Sequence, residues 1–298
     1  MIGGAEAMDA EALFGSAARQ DGDVLSDVDY LIVGDDHDKM RSRKQWLTRQ
    51  GFSVSDYTWR RLERSFENRT LFALHLAVES RPVLDRAGRL RDLFNSYQPK
   101  TAYSSDFEES LQLFRPLEYV PASSQGRCWA LDVLAVAFRN SAILQLAAEG
   151  RYVFSMGAII NELTTRGKIN RERAEDLRLL RTYKARYRAE VNRHVSREEL
   201  DKSLRAVQGA LLLDFQSVDG KPHDIISTAP KSTHAYARMR SIEAELISAP
   251  LRALTNPEAA QIRSDLLRMT RDPHAYLWTL LYKTEVMEDT LARFRSFY

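Results

Sequence analysis

The groups best suited to chemistry lie close together near the start of the chain. Leu13-Phe14-Gly15-Ser16 is followed, ten residues later, by Asp27-Val28-Asp29, which opens the run Tyr30-Leu31-Ile32-Val33. Leu13 and Phe14 read as the end of a short apolar strand. Gly15 has no Cβ and permits a tight turn, and Ser16 is a favourable N-cap for a helix begun by Ala17, Ala18 and Arg19. Amide N–H groups exposed at such a turn suit a phosphate. On the following strand Asp27, Asp29 and Leu31 share one face, because alternate side chains of a strand point the same way. Two carboxylates spaced in this way suit a hard, oxygen-seeking cation, Mg²⁺ or Mn²⁺.

Gly-Ser, ten residues, then Asp-x-Asp resembles the signature of the DNA polymerase β-like nucleotidyltransferase superfamily. The string Phe14-Gly15-Ser16-Ala17-Ala18-Arg19, with Ser26 directly before Asp27, is most similar to the minimal nucleotidyltransferase branch. That branch includes protein-adenylylating antitoxins and aminoglycoside nucleotidyltransferases. The resemblance covers the N-terminal third of the chain well and the remainder loosely. It implies that Asp27 and Asp29 hold the metal, and that Gly15 and Ser16 cradle the phosphates of ATP or another NTP, with Arg19 and Ser26 beside them. The implied reaction moves an NMP, AMP from ATP, onto a hydroxyl of a protein or RNA acceptor, in a toxin–antitoxin or defence setting. An antibiotic acceptor, served by an acidic pocket drawn from Glu108, Glu109, Glu118 and Asp132, is an alternative. A nucleotide-binding regulatory protein that has lost catalysis is another.

The superfamily often adds a third carboxylate on a neighbouring strand. The apolar run Leu71 to Glu79 is expected to be that strand, and there Ala73 or His75 occupies the slot where an acid is expected. By alternation Ala73, His75, Ala77 and Glu79 share a face, which makes His75 and Glu79 the candidate bases for the acceptor hydroxyl.

These residues need elements to position them. After the acidic strand, Asp35-Asp36 is expected to cap a helix over 37–50 that ends at Gly51. A strand over 52–58, a basic helix over 59–68 and the run at 71–79 follow. Pro82 and Gly88 punctuate a loop, and a helix over 89–97 closes a first domain at residues 1–99. Beyond Pro99 strand signals give way to helical periodicity, with helices expected at 107–115, 129–149, 154–165, 171–192, 197–215, 233–248 and 257–297. A linker at 216–232 divides this second, all-helical domain of residues 100–298. The fold class is therefore α+β, a small mixed sheet followed by helices.

Arg188 and His194 match the spacing of Arg, four to six residues, His that marks helical nuclease domains of the HEPN type, which often accompany minimal nucleotidyltransferases. Arg69–His75 and Arg268–His274 match it equally well, so a solvated basic helix is the better reading. Lys39, Arg41, Arg43, Lys44 and Arg49, then Arg60, Arg61, Arg64 and Arg69, likewise read as solvated helix residues, with a surface that attracts triphosphate or RNA as the alternative. The net charge of +2 is too small to imply a nucleic-acid partner by itself. No apolar run of the length a membrane span needs is evident. The single cysteine, Cys128, excludes an intrachain disulfide and fits a reducing, cytoplasmic setting. The first ten residues do not read as a secretory signal.

Overall fold

The computed structural model describes residues 8–19, 28–191, 194–228, 234–271 and 284–298. The chain is mixed α+β and 66% helical, so its four-stranded sheet carries a small share of the fold. It divides into two compact units, Met1–Tyr103 with Ile143–Ala158, and Ser104–Ala142 with Ile159–Tyr298.

The first unit is built on a mixed sheet in the order β3-β2-β1-β4. Strand β1 (Ala10–Phe14) runs antiparallel to both β2 (Val28–Val33) and β4 (Ser80–Asp85), while β2 pairs in parallel with β3 (Phe52–Tyr57). Helix α1 (Ser16–Arg19) follows β1, and the parallel pair is joined by α2 (His37–Arg49). Asp36 starts α2 by accepting the amides of Asp38 and Lys39, each at 3.1 Å. The sheet buries both faces. Ala10, Ala12, Phe14, Leu31 and Val33 pack with α3 (Trp59–Glu67), α4 (Leu71–Glu79) and α5 (Arg89–Asn95). Tyr30, Ile32 and Val54 pack under Met40 and Leu47 of α2.

The run 71–79 is the helix α4, not a strand. Thr70 caps it, its Oγ1 accepting the Ala73 amide at 3.1 Å. The run is apolar nearly all round, so its periodicity does not separate strand from helix, and its Ala and Leu residues favour the helix. The neighbouring strand comes next, as β4, over the segment expected to be a loop around Pro82. Pro82 is tolerated because β4 is an edge strand, where a missing N–H costs no ladder bond.

The second unit is mostly helical. Helix α6 (Ser104–Ser110) passes into a 3₁₀ turn, Leu111–Leu117, that contains Pro116. The long α7 (Ser124–Ala147) begins in this unit, and α8 (Met156–Thr165), α9 (Arg171–Arg188) and α10 (Arg197–Leu211) follow. The expectation of no strand beyond Pro99 is corrected by β5 (Tyr119–Pro121), which pairs in parallel with β6 (Val218–Gly220). The segment expected as linker therefore holds β6 and α11 (Pro222–Thr228). Helices α12 (Ala235–Ser248), α13 (Leu251–Thr255) and α14 (Pro257–Arg271) come next, and Thr284–Arg295 is the final described helix. Helix α7 is long and apolar enough to cross a membrane, contrary to the reading of the sequence. Of its most apolar window 78% is buried inside the fold, as in a core helix.

Candidate functional site

Strand register assembles the site in the first unit. Phe14, the last residue of β1, pairs with Asp29 on one side and Ser80 on the other. Paired residues of antiparallel strands project to the same face, so Asp29 and the residue following Glu79 flank the turn that begins at Gly15. That turn is closed by the Gly15 amide, which donates to the Glu79 carbonyl at 3.1 Å, and by Ala18 and Arg19, which donate to the Gly15 carbonyl.

Gly15 has φ +65°, in the left-handed region, and a Cβ built there would lie 3.0 Å from Asp29 Oδ2 and 3.8 Å from His75 Cε1 and Nε2. The bare glycine is what lets the half-buried Asp29 carboxylate and the His75 ring approach the turn together. Both the conformation and the space require glycine here.

His75 and Glu79 lie one helical turn apart on α4, so the i,i+4 relation aligns them rather than strand alternation. His75 Nε2 is 3.1 Å from Glu79 Oε2. Ala73, expected on the same face, is fully buried in the core instead. Arg19 of α1 forms an ion pair with the same Glu79 oxygen. The imidazole stacks on Phe154 at 4.4 Å between ring centroids, with 19° between the planes, and meets the edge of Phe14 at 5.6 Å. Phe154 was not singled out from the sequence. An aromatic residue ahead of a helix carries no local sign that it will face a histidine nearly eighty positions earlier.

Gly15, Arg19, Asp29, His75 and Glu79 thus converge, and Ser16 opens α1 beside them. Ser26 and Asp27 lie outside the described residues. Among the described residues no group of three His, Cys, Asp or Glu side chains is placed to hold a metal ion. Set against family models, curated proteins and solved structures, the chain matches none of them.

Several other polar groups have structural partners. Arg43 is not on a solvated side of its helix: it is buried, and its Nε and Nη2 donate to the two oxygens of Glu11 at 2.9 and 2.8 Å. Tyr30 donates to the same carboxylate at 2.6 Å, and burial with that acid beside it pushes the phenol well above its ordinary value. Asp132 is buried between Arg240 and Arg188, which removes it from any acidic acceptor pocket. Glu108, Glu109 and Glu118 are exposed. Tyr187 and Tyr183 donate to Glu243 and Glu199. Arg188 is held by Asp132, whereas His194 lines a cavity without it. His274 lies outside the described residues.

Proposed function

We propose that the chain is a Mg²⁺-dependent nucleotidyltransferase that moves AMP from ATP onto a hydroxyl of a protein or RNA acceptor. The observation that carries this reading is the approach of the Asp29 carboxylate to within 3.0 Å of where a Gly15 side chain would begin. The two halves of the sequence signature, glycine turn and acidic strand, meet at one place, and the four-stranded mixed sheet suits the polymerase β-like fold.

The groups this chemistry needs would be drawn from the residues around this turn. Asp29, with Asp27 two positions before it, would hold the cation, and Gly15 and Ser16 would lie against the triphosphate. A divalent cation bound there supplies charge neutralisation at the reacting phosphoryl group. Arg19 offers a guanidinium that can partner a phosphate when it leaves Glu79. His75 and Glu79 form a hydrogen-bonded pair able to take the proton of the attacking hydroxyl, and stacking on Phe154 fixes the imidazole plane.

A catalytically silent nucleotide-binding protein is the second reading, favoured by one feature: the Glu79 carboxylate is engaged by both Arg19 and His75. Incubation with each α-labelled NTP and Mg²⁺ or Mn²⁺, with protein and tRNA acceptors, separates the two. Label on an acceptor supports the transferase, and ATP binding without transfer supports the silent protein.

A further inference from the structure

The second unit contains an open chain of alternating ion pairs. Arg188 pairs with Asp132 (3.1 Å), Asp132 with Arg240 (2.7 Å), Arg240 with Glu243 (2.6 Å), Glu243 with Arg271 (2.8 Å), and Arg271 with Glu190 (2.7 Å). Guanidiniums and carboxylates alternate, and each guanidinium is matched by an acid. Asp132, Arg240 and Glu243 are buried, where an unmatched charge is costly, so this chain is a balanced scaffold with no charge to spare.

Arg263 stands outside it. This half-buried arginine donates Nε to the Leu246 carbonyl at 2.7 Å, and no carboxylate among the described residues pairs with it. Burial, and then the charge of neighbouring Arg271, hold its guanidinium below the ordinary value, against a smaller opposite pull from Tyr298 and Tyr187. Two like charges are thus held side by side, one of them without a counter-ion. Both line a cavity of about 550 Å³, whose wall also includes Cys128, Tyr187, Val191 and Leu267.

We infer that this cavity is a binding site for a small organic phosphate, its phosphate seated on Arg263 beside Arg271 and its body against Tyr187 and Leu267. An arginine presents paired N–H donors that match phosphate oxygens, and the anion supplies the charge that Arg263 lacks. The volume is larger than a bare phosphate fills and lies within the range of small-molecule sites. The aromatic and aliphatic walls suit a ring or chain on the phosphate ester. Glu190 also faces the cavity, but Arg271 holds it. The inference is independent of the transferase reading, since every residue it uses belongs to the second unit.

Cys128 is the single cysteine of the chain and lies on the cavity wall, so it reports occupancy in the wild-type protein. Its alkylation by iodoacetamide is followed in the full chain with inorganic phosphate, AMP or adenosine. AMP should slow alkylation severalfold, phosphate should do so less, and adenosine should leave the rate unchanged. Arg263→Gln should weaken AMP protection by about tenfold or more, because a charge-assisted contact is lost, whereas Arg263→Lys should retain part of it. Asp29→Ala should leave the protection intact, which separates this cavity from the proposed transfer site. Unchanged alkylation of wild-type protein at millimolar AMP overturns the inference, even if Arg263→Gln fails to fold. Equal protection of wild type and a folded Arg263→Gln overturns it as well.

Discussion

Gly15 concentrates two constraints in one position. An L-residue at φ +65° costs about 1–2 kcal/mol, and the added Cβ would press on the Asp29 carboxylate. Gly15→Ala should therefore lower stability by about that amount in chemical denaturation and weaken ATP binding in calorimetry. Gly15→Val, β-branched, should do both more strongly. His75 is the other informative residue. Its ring is fixed by Phe154 and Phe14, and its Nε2 by Glu79. As a positioned base it should contribute about 10²–10⁴-fold in rate, so His75→Ala should slow transfer by that order with nucleotide affinity little changed. A lower melting temperature with an unaltered rate per folded molecule would assign His75 to packing. The glycine, Ser16 and Asp29 were legible because turn chemistry and an acidic strand start are local signals. Phe154 was not, because its partner is set by tertiary packing.

Among the elements, α2 and the strands β1 and β2 are tied by the buried group Glu11, Arg43 and Tyr30. In the sequence Arg43 reads as one of several helix bases, and nothing marks Glu11 as its partner. Their burial is visible only once β1 and α2 are packed together. Glu11→Ala would leave the Arg43 guanidinium buried without its acid, and should cost about 3–5 kcal/mol in urea or guanidinium unfolding. Adding Arg43→Met should recover a large part of that loss. A single variant as stable as the wild type would show that the pair contributes nothing net. Helix α4 shows the opposite limit of sequence reading. Strand alternation puts His75 and Glu79 on one face, yet they meet because residues four apart on a helix also share a face. The residues were therefore legible and the element was not, since an apolar run carries no period. Capped helices such as α2, with Asp36 before it and Gly51 after it, were readable because their end signals are chemical rather than periodic.

At the scale of the molecule, the change of texture near residue 100 marked the passage from sheet to helices, while the return of Ile143–Ala158 to the first unit left no compositional trace. That return matters, because it brings Phe154 onto His75. The ion-pair chain of the second unit was likewise invisible, since Asp132, Arg188, Arg240, Glu243 and Arg271 are scattered over three helices and the long apolar α7. The central claim is that the Gly15 turn and Asp29 form a nucleotidyl-transfer site. Its most direct test is transfer of label from α-labelled ATP in Mg²⁺ to protein and RNA acceptors, comparing wild type with Asp29→Ala. The wild type should label an acceptor, and Asp29→Ala should abolish labelling while remaining folded, as judged by a cooperative thermal melt. Labelling by Asp29→Ala at the wild-type rate, or none by the wild type on any acceptor, would contradict the claim.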